Sequence, residues 1–253
     1  MKFLHYHQRD IQSRHMTKRE ILVGKTGHRA RAQEKFLQMA DAGSLPDYEL
    51  LELILMKSIP RIDVKGLAKD LLYKFGTLSA VLAAKPDELM GFAHIKKSTL
   101  VLFKLIREAN SRILMGKMKT VPVLECWEQV VDYCCLALEQ EHIEHFMVLY
   151  LDKRFRLIRR EIPQNGTTDR VSIYPREVLK EALIIGAHAV IIVHNHPSGN
   201  TDPSPADLTM TAELYQTLTA GHILFLDHLI IAEGRKVYSF SEHGLLDSKK
   251  GVK

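Results

Sequence analysis

The chain has no run approaching the roughly 18 apolar residues that a membrane-spanning helix needs, and its first 27 residues are basic and broken by His, Gln and Asp where a secretory leader would carry an apolar core. A soluble, cytoplasmic protein is the expectation. Cysteine is scarce: Cys126, Cys134 and Cys135 include an adjacent pair and form no Cys-x-x-Cys, so neither a disulfide framework nor a thiolate zinc site is indicated. Gly24-Lys25-Thr26 lacks the glycine five positions earlier, with Arg19 standing there, which removes the phosphate-cradling loop of a nucleotide site. His-Glu-x-x-His is absent, and His142-Ile143-Glu144-His145 is one residue short of the inverted form. No Pro-Cys-x-x-Cys accompanies the histidines, which disfavours a zinc deaminase. Asn165-Gly166-Thr167 has the form of a glycosylation triplet without a secretory context and reads as a turn.

Of the 253 residues, 46% are apolar and 26% charged, the proportions of a globular protein with ample core. Charge divides the chain. Residues 1–120 hold 22 Lys and Arg against 12 Asp and Glu, a balance of +10, whereas the remainder carries −5. Two domains follow, with a cut at residues 116–122, where Gly116 ends a helical pattern and Pro122 opens an extended one. The expected organisation is a basic tail over 1–27, a helical domain over 28–118 and a second domain over 122–247. Met16 offers an alternative start.

Helical patterns cover 28–40, a segment opened by Pro46 with Leu50, Leu53, Ile54 and Met56 in line, 63–75, 77–84, 86–92 and 96–114. The second domain reads as a helix over 124–139, strands at 145–151 and 155–162, a segment at 171–174, and a helix from Pro175 to the stop at Gly186. A buried strand at 189–193 leads to a helix over 204–220, and strands at 222–226, 229–232 and 237–240 complete it. A sheet with helices on its faces is α+β or α/β by pattern. His188, His222 and His228 border or occupy apolar stretches and read as packing residues.

The informative stretch follows the apolar run Ala189-Val190-Ile191-Ile192-Val193 and reads His194-Asn195-His196-Pro197-Ser198-Gly199-Asn200-Thr201-Asp202-Pro203-Ser204-Pro205-Ala206-Asp207. Alternate residues of an extended chain point the same way, so His194 and His196 can aim imidazoles at one point, and the Pro/Gly-rich loop can return Asp207 to it. Two imidazoles and a carboxylate are a common ligand set for Zn2+, and a catalytic site leaves a fourth position open. Ser204 and Asp207 also fit a capping box with Pro205 at the first helical position. Both readings can hold together. Asn195, between the histidines, is polar and outward by alternation and receives no role.

His-x-His-Pro followed by six residues and Ser-x-x-Asp resembles the metal-binding signature of the JAMM (MPN-type) metallohydrolases, and His194–Gly199 resembles the RadC branch. The segments Tyr174-Pro175-Arg176-Glu177-Val178, Asp227-His228-Leu229-Ile230-Ile231, Tyr238-Ser239-Phe240 and Pro46-Asp47-Tyr48-Glu49-Leu50-Leu51-Glu52 are similar to other RadC segments. The resemblance spans most of residues 28–247. It implies a JAMM-type fold for the second domain, with His194, His196 and Asp207 on zinc. It also implies a glutamate at the start of an early strand as general base, for which Glu144 matches best and Glu141 is the fallback, and a serine, Ser204, that helps stabilise the oxyanion. The substrate would be a peptide or protein conjugate, cleaved at an amide, peptide or isopeptide bond. Residues 77–114 resemble a helix-hairpin-helix unit, with His94-Ile95-Lys96 where the hairpin's two glycines would sit. Weak, sequence-independent nucleic-acid contact is the most such a unit implies. A second reading therefore stays open: a DNA-associated repair or recombination protein whose metal is structural or serves a nuclease.

Overall fold

The structure is a computed structural model that describes residues 18–163, 166–167, 170–171 and 173–246. The tail expected over 1–27 therefore lies outside the described residues up to position 17, and so does the turn at Asn165. The chain divides into two compact units, the first drawn from residues up to Val81 with Pro86–Leu100, the second from Leu82–Lys85 with Val101 onwards.

The first unit is helical: α1 (Lys18–Gln38), α2 (Asp47–Ser58), α3 (Lys65–Phe75), α4 (Leu78–Ala83), α5 (Pro86–Met90) and the start of α6 (Lys97–Thr120). Helix α1 begins ten residues before the expected start at 28. The part expected as tail is helix from Lys18 onward, and the helix has no apolar stripe for periodicity to detect. Arg29 donates to the carbonyls of Met56, Ile59 and Ile62 at 3.1, 2.7 and 2.5 Å, so a cation sits on the orphan carbonyls where α2 ends. Helix α2 buries Leu51, Leu55 and Met56, one step round from the expected stripe. Between α5 and α6 the chain turns through His94, which takes the left-handed φ of 72° that a glycine would supply. Ile95 beside it is buried.

Helix α6 does not stop at Met115. It runs through Gly116 to Thr120, because the next turn places Met118 in the second unit's core with no exposed surface. Burying that side chain is worth about 1.5–3 kcal/mol and outweighs the roughly 1 kcal/mol that an interior glycine costs. The compact units consequently divide within α6, at Leu100/Val101, and not at residues 116–122.

The second unit adds α7 (Trp127–Leu138), β1 (Phe146–Leu151), β2 (Leu157–Glu161), the two-residue strands β3 (Gly166–Thr167) and β4 (Arg170–Val171), α8 (Pro175–Ile184), β5 (Ala189–Asn195), α9 (Pro205–Ala220), β6 (Leu224–Ala232) and β7 (Lys236–Ser239). The main sheet has the order β2-β1-β5-β6-β7. Only β5 and β6 run parallel, joined through α9; the other neighbours are antiparallel. Val130, Cys134 and Leu138 of α7 cover one face with Leu149, Ile191 and Val193. Val178 and Ala182 of α8 and Leu214 and Leu218 of α9 cover the other, with Val148, Val190 and Ile192. Strand β5 is thus closed on both faces, and all seven of its residues are buried, as its unbroken apolar run requires. The three cysteines are buried and free. Among the described residues no helix is long and apolar enough to cross a membrane.

One correction decides the geometry of the site. The stretches at 222–226 and 229–232 are a single strand, β6, with Asp227 and His228 inside it. Val190 faces Phe225 while Ile191 faces Asp227, so Leu226 is an inserted residue, a bulge that reverses the alternation beyond it. His228 comes to the α9 face beside Ile192. Asp227 accepts from the amides of His228 (2.7 Å) and Ser241 (2.9 Å) and from the Ser239 hydroxyl. Asp227→Ala strands these donors in a buried place and should lower unfolding stability by about 1–3 kcal/mol, read from denaturant titration.

Candidate metal centre

The site lies where β5 ends. Position 194 faces α9 and position 195 faces α7, and His196 extends the pairing by donating its amide to the Ile231 carbonyl at 2.8 Å. The turn beyond it needs Gly199 at φ 81° and returns the chain to Ser204. There the capping box forms as its residues suggest. Ser204 Oγ accepts the Asp207 amide at 3.2 Å, Asp207 Oδ2 accepts the Ser204 amide at 2.7 Å, and Pro205 opens α9. The Ser204 hydroxyl donates to Oδ2 as well, at 2.7 Å. The residue that starts the helix therefore also aims the carboxylate.

His194 Nε2 and His196 Nε2 lie 3.0 Å apart, and each is 3.3 Å from a different oxygen of Asp207. Glu144, at the entrance to β1, brings Oε1 to 3.9 Å from His194 Nε2. One donor atom from each of the four residues fits within a span of 4.8 Å. Glu141, the fallback, turns its carboxylate to the His145 ring at 3.7 Å and lies outside this group. His194 has no exposed surface, Asp207 is buried and Glu144 reaches solvent.

The donor set fits a cation. His196 Nδ1 is 2.8 Å from the Asn200 carbonyl, which can only accept, so Nδ1 carries a proton and the neutral ring turns a bare Nε2 inward. The Asp207 carboxylate beside that nitrogen favours the protonated ring by hydrogen bonding and so raises its pKa, an attraction that a cation facing the bare nitrogen would satisfy instead. Burial works to raise the Asp207 pKa, yet bonds from the protonated forms of His194 and His196 and from Ser204 outweigh it and hold the carboxyl well below the usual range; when the rings are neutral, a cation would take the place of those protons. Imidazole lone pairs and an ionised carboxylate thus converge on one point, an arrangement that needs positive charge at its centre. Nitrogen and oxygen ligands in this ratio suit a divalent transition-metal ion.

Two neighbours escape sequence reasoning. Asn195 is not outward: it is buried, donating to the carbonyls of Glu141 (3.1 Å) and Ile143 (3.0 Å) and accepting the His145 amide (2.8 Å). It pins the segment that presents Glu144. A polar residue between two ligands was the available signal, but its partners lie about fifty positions away in sequence. His228 packs as expected, stacked on Phe240, and lies outside the converging set, but it also bonds to a member of it. It is buried with Nε2 2.7 Å from His194 Nδ1 and Nδ1 2.7 Å from Thr211 Oγ1. His188 is half-buried against Phe155, and His222 is exposed in a turn at φ 58°, so only the first of those two packs as expected.

Two comparisons bear on this geometry. A family model described as a RadC-like JAB domain matches residues 124–245, the stretch that holds all four donors. A relative from Rhodobacter capsulatus, named only as a UPF0758 protein, is 42% identical over 214 residues, covering 85% of this chain and 99% of its own.

Asn195→Ala leaves one amide and two carbonyls without partners. It should reduce stability by about 1–3 kcal/mol and speed amide hydrogen exchange across residues 141–145 more than elsewhere in the sheet.

Proposed function

Because the chain belongs to the RadC-like JAB family, a JAMM-type group, we propose that it is a zinc-dependent hydrolase acting on an amide, peptide or isopeptide bond of a peptide or protein conjugate. The observation that carries this reading is the convergence of Glu144 with His194, His196 and Asp207 within 4.8 Å, three of them anchored and the fourth in reach of solvent. His194, His196 and Asp207 would hold the ion. A Zn2+ ion held there would supply a lowered water pKa and polarisation of the scissile carbonyl. Glu144 takes the proton from the attacking water and passes it to the leaving amine, so that one water is consumed and one acid and one amine are released. Its entry position on β1, held by Asn195, sets the carboxylate beside the ligands without making it one of the three that would hold the ion. Ser204 orients Asp207, and the oxyanion contact expected of it requires its hydroxyl to turn from Oδ2 towards substrate.

The first unit supports a second, compatible reading. The hairpin before α6 keeps its left-handed turn at His94 and its buried Ile95 although both glycines are replaced, and Lys96 and Lys97 stand exposed at the helix start. Backbone amides and lysines there would give weak contact with nucleic-acid phosphates.

The hydrolase reading predicts about one zinc per chain, most of it lost in His194→Ala, His196→Ala and Asp207→Ala. Glu144→Gln should keep zinc and melting temperature while turnover of a peptide or isopeptide panel falls by about 10²–10⁴-fold. Equal turnover by Glu144→Gln removes it as the base, and metal-dependent cutting of DNA without amide turnover favours the nuclease alternative. For the full chain, DNA affinity should be weak, indifferent to sequence and steeply reduced by salt, with Lys96→Glu/Lys97→Glu weakening it further; tight, salt-resistant binding to one sequence contradicts this.

A further inference from the structure

We infer that His228, oriented by Thr211, is a positioning residue that locks His194 in the tautomer whose Nε2 lone pair faces the metal centre. The inference rests on the metal-centre reading above and adds to it a group that touches neither the ion nor substrate.

Donors and acceptors along this chain of bonds fix every proton. Thr211 Oγ1 lies 2.6 Å from the Asp207 carbonyl, which can only accept, so the single hydroxyl proton points there. His228 Nδ1, 2.7 Å from the same oxygen, must then be the donor. His228 has no exposed surface, and its two ring nitrogens meet a hydroxyl and an imidazole rather than a carboxylate, so the buried ring is neutral and its other nitrogen is bare. His194 Nδ1 stands 2.7 Å from that bare Nε2 and therefore donates to it. One proton on a neutral imidazole leaves His194 Nε2 free, aimed at His196, Asp207 and Glu144. Each assignment forces the next.

Packing holds the rings in the planes that these bonds require. Phe146 stacks on His194 with centroids 4.9 Å apart, and Phe240 stacks on His228 at 4.5 Å. The bulge at Leu226 is what brings His228 to this face. The chain of bonds starts at the backbone of Asp207, so α9 supplies one ligand directly and sets the proton of another.

The test compares wild type with Thr211→Val, Thr211→Ser, His228→Leu and Thr209→Val. The last makes the same hydroxyl-to-methyl change at an exposed position of α9, where Thr209 bonds only to the Pro205 carbonyl among the bonds described. Zn2+ affinity is measured by chelator competition, and nitrogen NMR of histidine-labelled, metal-free protein at mildly alkaline pH reads each tautomer. Thr211→Val should lose about 10–100-fold in zinc affinity and move His194 from Nδ1–H towards Nε2–H. Thr211→Ser should restore both and Thr209→Val should change neither. His228→Leu should weaken zinc at least as far; if it fails to fold, the isosteric Thr211 pair still decides. Unchanged affinity and an unchanged His194 tautomer in Thr211→Val overturn the inference while leaving the metal centre standing. A wild type that binds no zinc overturns the metal-centre reading instead, and the nitrogen shifts then still judge the lock: Nδ1–H at His194 in wild type, lost in Thr211→Val, sustains it, and any other pattern ends it.

Discussion

A strand buried on both faces cannot shed polar groups into water, and β5 ends in two of them with a third just beyond. His194, Asn195 and the adjoining His196 leave the sheet between α7 and α9, where an unpaired donor or acceptor costs about 1–3 kcal/mol. Each finds its partners inside the protein: His194 through His228, Asn195 through the backbone of residues 141–145, His196 through the Asn200 carbonyl. Satisfying the strand's end and building the site are one problem. The three nitrogen-bearing side chains can be satisfied only if the Glu144 segment, the Ser198–Asn200 turn and strand β6 come to the same place.

The remaining architecture serves this junction. The capping box makes α9 start at a defined residue, so Asp207 arrives in the first turn with its carboxylate gripped by Ser204. The parallel pairing of β5 with β6 requires a crossover, and α9 is that crossover, so the helix carrying one donor is delivered to the strand carrying two others. The antiparallel pairing of β1 with β5 sets Phe146 opposite His194 and with it Glu144 at the rim. The base proposed for this site must meet water, and Glu144 at the rim reaches solvent.

The helical unit shows the same economy of local rules in another form. Arg29 closes the carbonyl end of α2, and His94 adopts a left-handed turn without glycine because burying Ile95 fixes the hairpin. A non-glycine residue in that region costs about 1–2 kcal/mol, comparable with the gain from one buried aliphatic side chain.

The converging residues were legible in the chain because their cues are local. Alternation puts His194 and His196 on one side of an extended segment, and Ser204-Pro205-Ala206-Asp207 spells a helix start. Elements with an apolar face, such as α7 and β5, were equally visible. What the chain could not disclose needed long-range pairing or the balance of opposed energies. Helix α1 lacks a stripe, and α6 crosses Gly116 only because Met118 has a core to enter. The bulge at Leu226 reverses which face His228 occupies, and a period-2 reading has no term for an inserted residue. Asn195 looked outward because alternation gives a direction but not what lies there; α7 and the residues before β1 fill that side. Sequence alone thus determined which side chains could bind a cation. Only the tertiary structure decided which proton His194 and His228 carry and which glutamate stands beside the ligands, because a tautomer is set by its partner, and His194 meets His228 across 34 positions, His228 meets Thr211 across 17, and Asn195 holds the Glu144 segment across 50 to 54.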